Sequence, residues 1–232
     1  MGIEYRKLQN GSDIRGVAME GIEGQPVTLT AEAVTNIAKA FVLYLQEKFN
    51  KSELRLSIGR DSRLSGEALL KAAADGILAM GADLADFGLA STPSMFMSTV
   101  TKGYEYDGAI MLTASHLPWN RNGIKFFTKL GGLEKSDIAA ILASAQADAF
   151  IPAVERGTIT QVDFLSVYAA GLVDRIRSGV NAEDYDHPLN GFRIVVDAGN
   201  GAGGFYVDKV LQPLGADTTG SQFLEPDGHF PN

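Results

Sequence analysis

Apolar positions along the chain follow two rhythms that take turns. Between residues 30 and 50 the side chains Val34, Ile37, Ala38, Phe41 and Leu45 recur every three to four positions, so they share one face of a predicted helix. Thr30 is placed to cap its first turn, and Glu32 suits the positive end of its dipole. Leu54 to Ile58 is a run of strand length that leads into the polar turn Gly59-Arg-Asp-Ser-Arg63, after which Ser65 opens a second helix ending at Gly81. The apolar run Ala82 to Phe87 completes a strand, helix, strand unit with short joints, and the right-handed crossover rule makes its strands parallel. Ala109 to Leu112 and Ile124 to Phe127 predict two more strands around a loop at 113–123, and an Ala-rich helix is predicted over 135–147.

The rhythm breaks between Asp148 and Thr160, where Pro152 and Gly157 fall, and this stretch divides a first domain, 1–155, from a second, 156–232. An amphipathic helix from Val162 to about Ser178 opens the second through Phe164, Leu165, Tyr168, Leu172 and Ile176. The plan then repeats in part. Arg193-Ile-Val-Val-Asp197, a Gly-rich turn, a helix through Leu211 and Gly215-Ala-Asp217 echo Leu56 to Asp61, its turn and helix, and Gly81-Ala-Asp83. The expected fold class is α/β, with mixed, mainly parallel sheets sandwiched by helices in two similar units. The second unit reads as incomplete, hence truncated, because one strand-sized run is followed by Glu225-Pro-Asp-Gly-His-Phe-Pro-Asn232.

Composition narrows the function classes. The 232 residues are 45% hydrophobic, enough for a substantial core, and contain no cysteine, which excludes disulfides, thiolate nucleophiles and Cys-based metal sites. A net charge of −8 argues against general nucleic-acid binding, which relies on Lys and Arg. The longest apolar run, Ala40 to Leu45, is too short to cross a bilayer, and the first residues lack the apolar segment of a secretory signal, so a cytoplasmic protein without membrane partners is expected. Met1-Gly2 admits N-myristoylation, but Lys7 replaces the usual Ser or Thr and an ordinary start is the simpler reading.

Against this acidic background residues 108–133 contain no acid, while Arg121, Lys125 and Lys129 lie within them. The segment Thr113-Ala-Ser-His-Leu-Pro-Trp-Asn-Arg-Asn-Gly-Ile-Lys125 therefore creates a local positive field in which a phosphate can sit. Ser115 is the candidate phosphate carrier. The plainer alternative makes Ser115 and His116 ordinary loop residues and Asn122-Gly123 a hairpin turn.

The same segment resembles the signature loop of the α-D-phosphohexomutases, the phosphoglucomutase and phosphomannomutase family, written T-A-S-H-N-P, a spacer and N-G-x-K. Ser12-Asp-Ile-Arg-Gly16, Gly59-Arg-Asp-Ser-Arg-Leu-Ser-Gly66, Val195-Val-Asp-Ala-Gly-Asn-Gly201 and Pro226-Asp-Gly-His-Phe-Pro-Asn232 are similar to four further family motifs, in the family's order. The resemblance implies interconversion of hexose 1-phosphate and hexose 6-phosphate through a phosphoserine and a hexose 1,6-bisphosphate, which also serves as activator. It implies that Ser115 is the nucleophile and one Mg2+ ligand, that Lys125 is the general acid or base, and that Arg15 steadies the transferring group. His116, Arg121 and Asn122 are expected to meet the substrate.

Two departures stand out. Leu117 replaces the family's usual Asn, and the metal-binding D-G-D-x-D-R, the sugar-selecting G-E-x-S-G and the final phosphate-binding domain do not occur in these residues. The chain alone is therefore expected to be inactive. Phosphoglucosamine mutase and a catalytically silent module binding sugar phosphates or a partner protein are the alternatives. Oligomeric state and sugar preference stay open.

Overall fold

The computed structural model describes residues 3–232, so the Met1-Gly2 signal lies outside the described residues. The chain forms two compact units: Met1–Asp61 with Ser65–Val162, and Ser62–Leu64 with Asp163–Asn232. The division falls at Val162 rather than at the expected 155. Its cause is the strand Ile159–Gln161, which pairs with Leu84 to Asp86 and so extends the first unit's sheet.

In the first unit the strands are β1 (Gln9–Asn10), β2 (Asp13–Val17), β3 (Arg55–Arg60), β4 (Asp83–Leu89), β5 (Gly108–Leu112), β6 (Arg121–Thr128), β7 (Gly131–Gly132) and β8 (Ile159–Gln161). Its helices are α1 (Ala31–Phe49), α2 (Gly66–Ala79), α3 (Thr92–Ser98) and α4 (Lys135–Ala147). The sheet order is β1-β2-β6-β5-β3-β4-β8, with β7 against β6. The pairs β3/β4, β3/β5 and β4/β8 are parallel, while β1, β2, β6 and β7 add antiparallel pairs, so the sheet is mixed.

Alternation along β6 shows how the layers form. Phe126 lies on one face and packs its ring 4.5 Å from Phe41 of α1, whereas Phe127 turns to the other and meets Phe96 of α3 at 6.3 Å. The α1 face holds the main core, in which Ile14, Val34, Ile37, Phe41, Leu45, Leu56, Ile58, Ile110, Leu112 and Ile124 are buried. α1 follows the apolar spacing closely. Thr30 accepts from the Ala33 N–H at 3.1 Å, a cap that contributes about 1 kcal/mol, and Asn50 ends the helix in the left-handed region at φ 49°.

Three local expectations change. Asn122 and Gly123 lie inside β6, so they make no hairpin turn and the loop after β5 is confined to residues 113–120. Ser65 precedes α2 but makes no side-chain cap bond; its hydroxyl accepts from Asn122 Nδ2 at 2.9 Å. The apolar pattern alone does not mark α3, although Ser91, whose hydroxyl accepts from the Ser94 N–H at 3.3 Å, and Pro93 at its start are recognisable helix-opening signals.

The second unit carries α5 (Phe164–Val180), capped by Asp163 through the Ser166 N–H at 3.1 Å. Ala169 and Val173 of α5 pack with Phe205, Val210 and Leu214. The helix expected through Leu211 is a wider π-helical turn, Val207–Leu211, followed by the 3-10 turn Gln212–Leu214. Arg193 to Asp197 does not become a strand; it makes two isolated parallel bridges, Arg193 to Asp217 and Asp197 to Gln222. Arg63, read as part of a turn serving the first domain, clusters with this unit, 5.1 Å from the ring of Phe230. Among the described residues no helix is long and apolar enough to cross a membrane.

Candidate active site

β3 and β5 end side by side, and loops at the carboxyl edge of parallel strands are where α/β sheets form crevices. The Thr113 N–H donates to the Gly123 carbonyl at 3.0 Å, which ties the base of the loop to β6. Its hydroxyl donates to Asp61 Oδ2 at 2.7 Å and accepts from the Ser115 N–H at 3.1 Å. Asp61, just past β3, is held in turn by its own N–H donating to the Leu112 carbonyl at 3.0 Å. A single hydroxyl thus couples the ends of two neighbouring strands to the serine singled out by the motif.

Ser115 adopts φ 55°, a left-handed conformation uncommon for a residue with a Cβ, and its side chain is exposed. Its Oγ lies 3.3 Å from His116 Nδ1, and His116 is also exposed. The chain then turns back through Leu117 N–H to Ala114 O at 3.1 Å and Arg121 N–H to Pro118 O at 3.0 Å.

Register supplies the cations. β2 runs antiparallel to β6 with Arg15 opposite Gly123, which sets Asp13 close to Lys125 on the face that α3 shares. Lys125 Nζ donates to Asp13 Oδ2 at 2.5 Å, and Arg15 Nη2 donates to the same oxygen at 3.1 Å. One carboxylate therefore orients both basic side chains. Gly123 is required between them, because a Cβ there would stand 2.5 Å from the Ile14 carbonyl oxygen and 2.9 Å from that of Thr113. Arg15 Nε is buried without a hydrogen-bond partner.

The structure thus joins Arg15 and Lys125 through Asp13 and places Ser115 with His116 in the loop between β5 and β6. Arg121, half-buried, donates to Gln25 Oε1 at 3.3 Å. Asn122 is fully buried and its amide serves the protein: Nδ2 donates to Ser65 and Oδ1 accepts from the Gly123 N–H at 2.8 Å. Asp13, Thr113 and Gln25 hold these side chains, and no motif by itself assigns them that role. Asp13 lay inside Ser12-Asp-Ile-Arg-Gly16, where only the arginine was singled out. The Arg60 guanidinium, next to Asp61 in sequence, meets Glu67 Oε1 at 2.7 Å and the Asp61 carbonyl at 3.2 Å.

Residues 6–151 match the family described as phosphoglucomutase/phosphomannomutase, alpha/beta/alpha domain I, which covers more than half of the chain. The chain belongs to the phosphoglucomutase/phosphomannomutase family. A phosphoglucomutase from Neisseria gonorrhoeae is 32% identical over 98% of this chain and 44% of its own length. A phosphoglucosamine mutase from Kineococcus radiotolerans is 30% identical over 90% of this chain and 46% of its own length. A crystal structure of a phosphoglucomutase/phosphomannomutase family protein from Burkholderia thailandensis superposes with a TM-score of 0.75 at 28% identity, over 96% of this chain and 45% of that one. The chain spans less than half the length of these relatives.

Among the described residues no group of three or more His, Asp or Glu side chains is placed to hold a metal ion. Asp13 and Asp61 are engaged with Lys125, Arg15 and Thr113. The described residues do not by themselves form a Mg2+ site.

Proposed function

We propose that this chain carries the phosphoryl-exchanging serine of a phosphohexomutase that interconverts hexose 1-phosphates and 6-phosphates. The observation that supports this most is the hydrogen-bonded line from Asp61 through the Thr113 hydroxyl to the Ser115 amide, which presents an exposed serine in a fixed left-handed conformation. Phosphoryl transfer asks a protein for alignment and charge stabilisation more than for new covalent chemistry. In the forward step the bond from phosphorus to Ser115 Oγ breaks as the sugar hydroxyl oxygen bonds to phosphorus, and the hydroxyl proton passes by way of Lys125, acting as base and then acid, to the leaving Ser115 Oγ. The sugar turns over, Ser115 Oγ bonds to its other phosphorus as the bond from that phosphorus to the sugar oxygen breaks, and the serine proton passes through Lys125 to the freed sugar oxygen.

Arg15 steadies the transferring phosphoryl group, and its buried Nε–H without an acceptor is a donor that an anion would satisfy. His116 and Arg121 meet the sugar phosphate in this reading. Asn122, fully buried, shapes the start of β6 from beneath. The likeness to phosphoglucosamine mutases supports glucosamine phosphate as a second reading of the substrate.

Intact mass spectrometry after incubation with glucose 1,6-bisphosphate tests the proposal. The expected result is one added phosphate, localised to Ser115 and absent in Ser115→Ala. A chain that binds sugar phosphates yet never takes up phosphate points instead to a silent binding module.

A further inference from the structure

The segment between β2 and α1 forms a closed loop whose two ends meet at Val17. The Thr28 and Leu29 N–H groups both donate to the Val17 carbonyl at 2.9 Å, and the Val17 N–H donates to Thr28 Oγ1 at 3.0 Å. Its body is fastened to the far end of the Ser115 loop at three places. The Asn120 carbonyl accepts from the Ala18 N–H at 2.8 Å and the Met19 N–H at 3.2 Å. Gln25 Oε1 accepts from Asn120 Nδ2 at 3.1 Å and from Arg121 Nη2 at 3.3 Å. Trp119 lies against Gly21, where a Cβ would come 2.8 Å from Trp119 Cη2 and where φ is 126°, so only glycine fits.

We infer that Gln25 is a positioning residue for the Ser115 loop. It acts through Asn120 and Arg121, with the Trp119 and Gly21 contact as the seat. Its single oxygen joins the last buried residue of the loop to the first cation of β6, so it fixes where the loop re-enters the sheet and where the Arg121 guanidinium points. Asn120 is fully buried, and its Oδ1 has no hydrogen-bond partner, so the amide has no second bond to hold its orientation once the Gln25 contact is lost. The same closure from the other side is supplied by Thr113 and Asp61. The Ser115 loop is therefore anchored at both ends, by local strand ends at its start and by residue 25 at its finish.

The inference rests on the phosphoserine reading for its activity arm and is independent of it for its structural arm. Trp119 is the only tryptophan, so its fluorescence reports the loop directly. Gln25→Ala is expected to shift Trp119 emission to the red and to raise its acrylamide quenching about twofold, and to slow phosphate uptake at Ser115 on the order of tenfold, with unfolding by urea little changed. Gln25→Glu keeps an oxygen for both donors and is expected to restore the emission and the uptake rate. That rescue separates positioning from mere packing. Unchanged quenching in Gln25→Ala, or no recovery in Gln25→Glu, overturns the inference. If the unsubstituted chain takes up no phosphate even within a protein of its relatives' full length, the mutase reading fails while the fluorescence series still decides the role of Gln25.

Discussion

The two units hold the same landmarks in the same register and turn them into different structures. In the first, Arg55 of β3 stands opposite Asp83 of β4, and pairing continues over five positions to Arg60. In the second, Arg193 stands opposite Asp217, yet only this bridge and the one from Asp197 to Gln222 form. Both aspartates follow a Gly-Ala pair whose glycine is left-handed, Gly81 at φ 80° and Gly215 at φ 88°. Both also accept from a threonine, Asp83 from the Thr158 N–H at 2.8 Å and Asp217 from the Thr219 N–H at 2.9 Å. The difference lies in the flanks. β3 has β4 on one side and β5 on the other, with helices over both faces, so Leu56 and Ile58 are fully buried. Arg193 to Asp197 is bridged on one side among the described residues, and Val195 is 53% exposed. The shared local plan extends into a strand where both edges and a face are covered, as at β3, and stops at isolated bridges in the less covered second copy.

Truncating the core of each counterpart gives the largest contrast. Leu56→Ala is expected to lower stability by about 3 kcal/mol, the cost of an apolar cavity, and Val195→Ala by less than about 0.5 kcal/mol, both read from urea unfolding. Equal costs would show that the second segment is as well packed as the first. The aspartates after the two segments sharpen the comparison at intermediate size. Asp61→Ala frees the Thr113 hydroxyl, so a loss of about 1 to 2 kcal/mol is expected, together with slower phosphate uptake at Ser115. Asp197 accepts from the Gly199 N–H and Gln222 Nε2 on the surface, and Asp197→Ala is expected to cost under about 0.5 kcal/mol without touching uptake.

Hydrogen exchange reads the same contrast without mutation. The amides of Leu56, Ser57 and Ile58 are expected to exchange only through global opening of their unit, and those of Ile194 and Val196 through local fraying. Comparable protection in the two segments would break the comparison.

The smallest effect is the pH response of the paired aspartates. The Thr158 hydroxyl and N–H hold the Asp83 carboxyl below its ordinary 3.8, and Thr219 does the same for Asp217. A carboxyl whose folded pKa is depressed contributes stability that is present above 3.8 and is lost as pH falls through the lower folded value. Thr158→Val removes the hydroxyl's share, so the drop in stability between pH 5 and 2 is expected to be shallower in that variant. An identical acid limb in both proteins would mean that the Thr158 hydroxyl does not set the Asp83 titration.

Much of the candidate site can be named from sequence because its motifs are local. Ser115, His116 and Lys125 lie within one acid-free segment, and Arg15 lies within Ser12-Asp-Ile-Arg-Gly16. What holds them was not legible. Asp61 is 52 positions from Thr113, Lys125 is 112 from Asp13, and Asn120 is 95 from Gln25. No periodicity links residues so far apart; sheet register does, by placing β2 against β6 and β3 against β5. Asn122 is the reverse case, since its place in a loop motif pointed to substrate while the strand buries it and its amide bonds Ser65 and the Gly123 N–H.

The sequence alone determined the helices whose apolar stripe and caps agree, above all Thr30 to Asn50, because those signals act within a few turns of one another. It also determined the family. Tertiary structure decided which apolar runs became strands, which carboxylate oriented Lys125 and Arg15, and how Gln25 fastens the loop's exit. Strand pairing and ion-pair choice depend on neighbours brought together by folding, and those neighbours differ between Arg55 and Arg193 even where the local pattern does not.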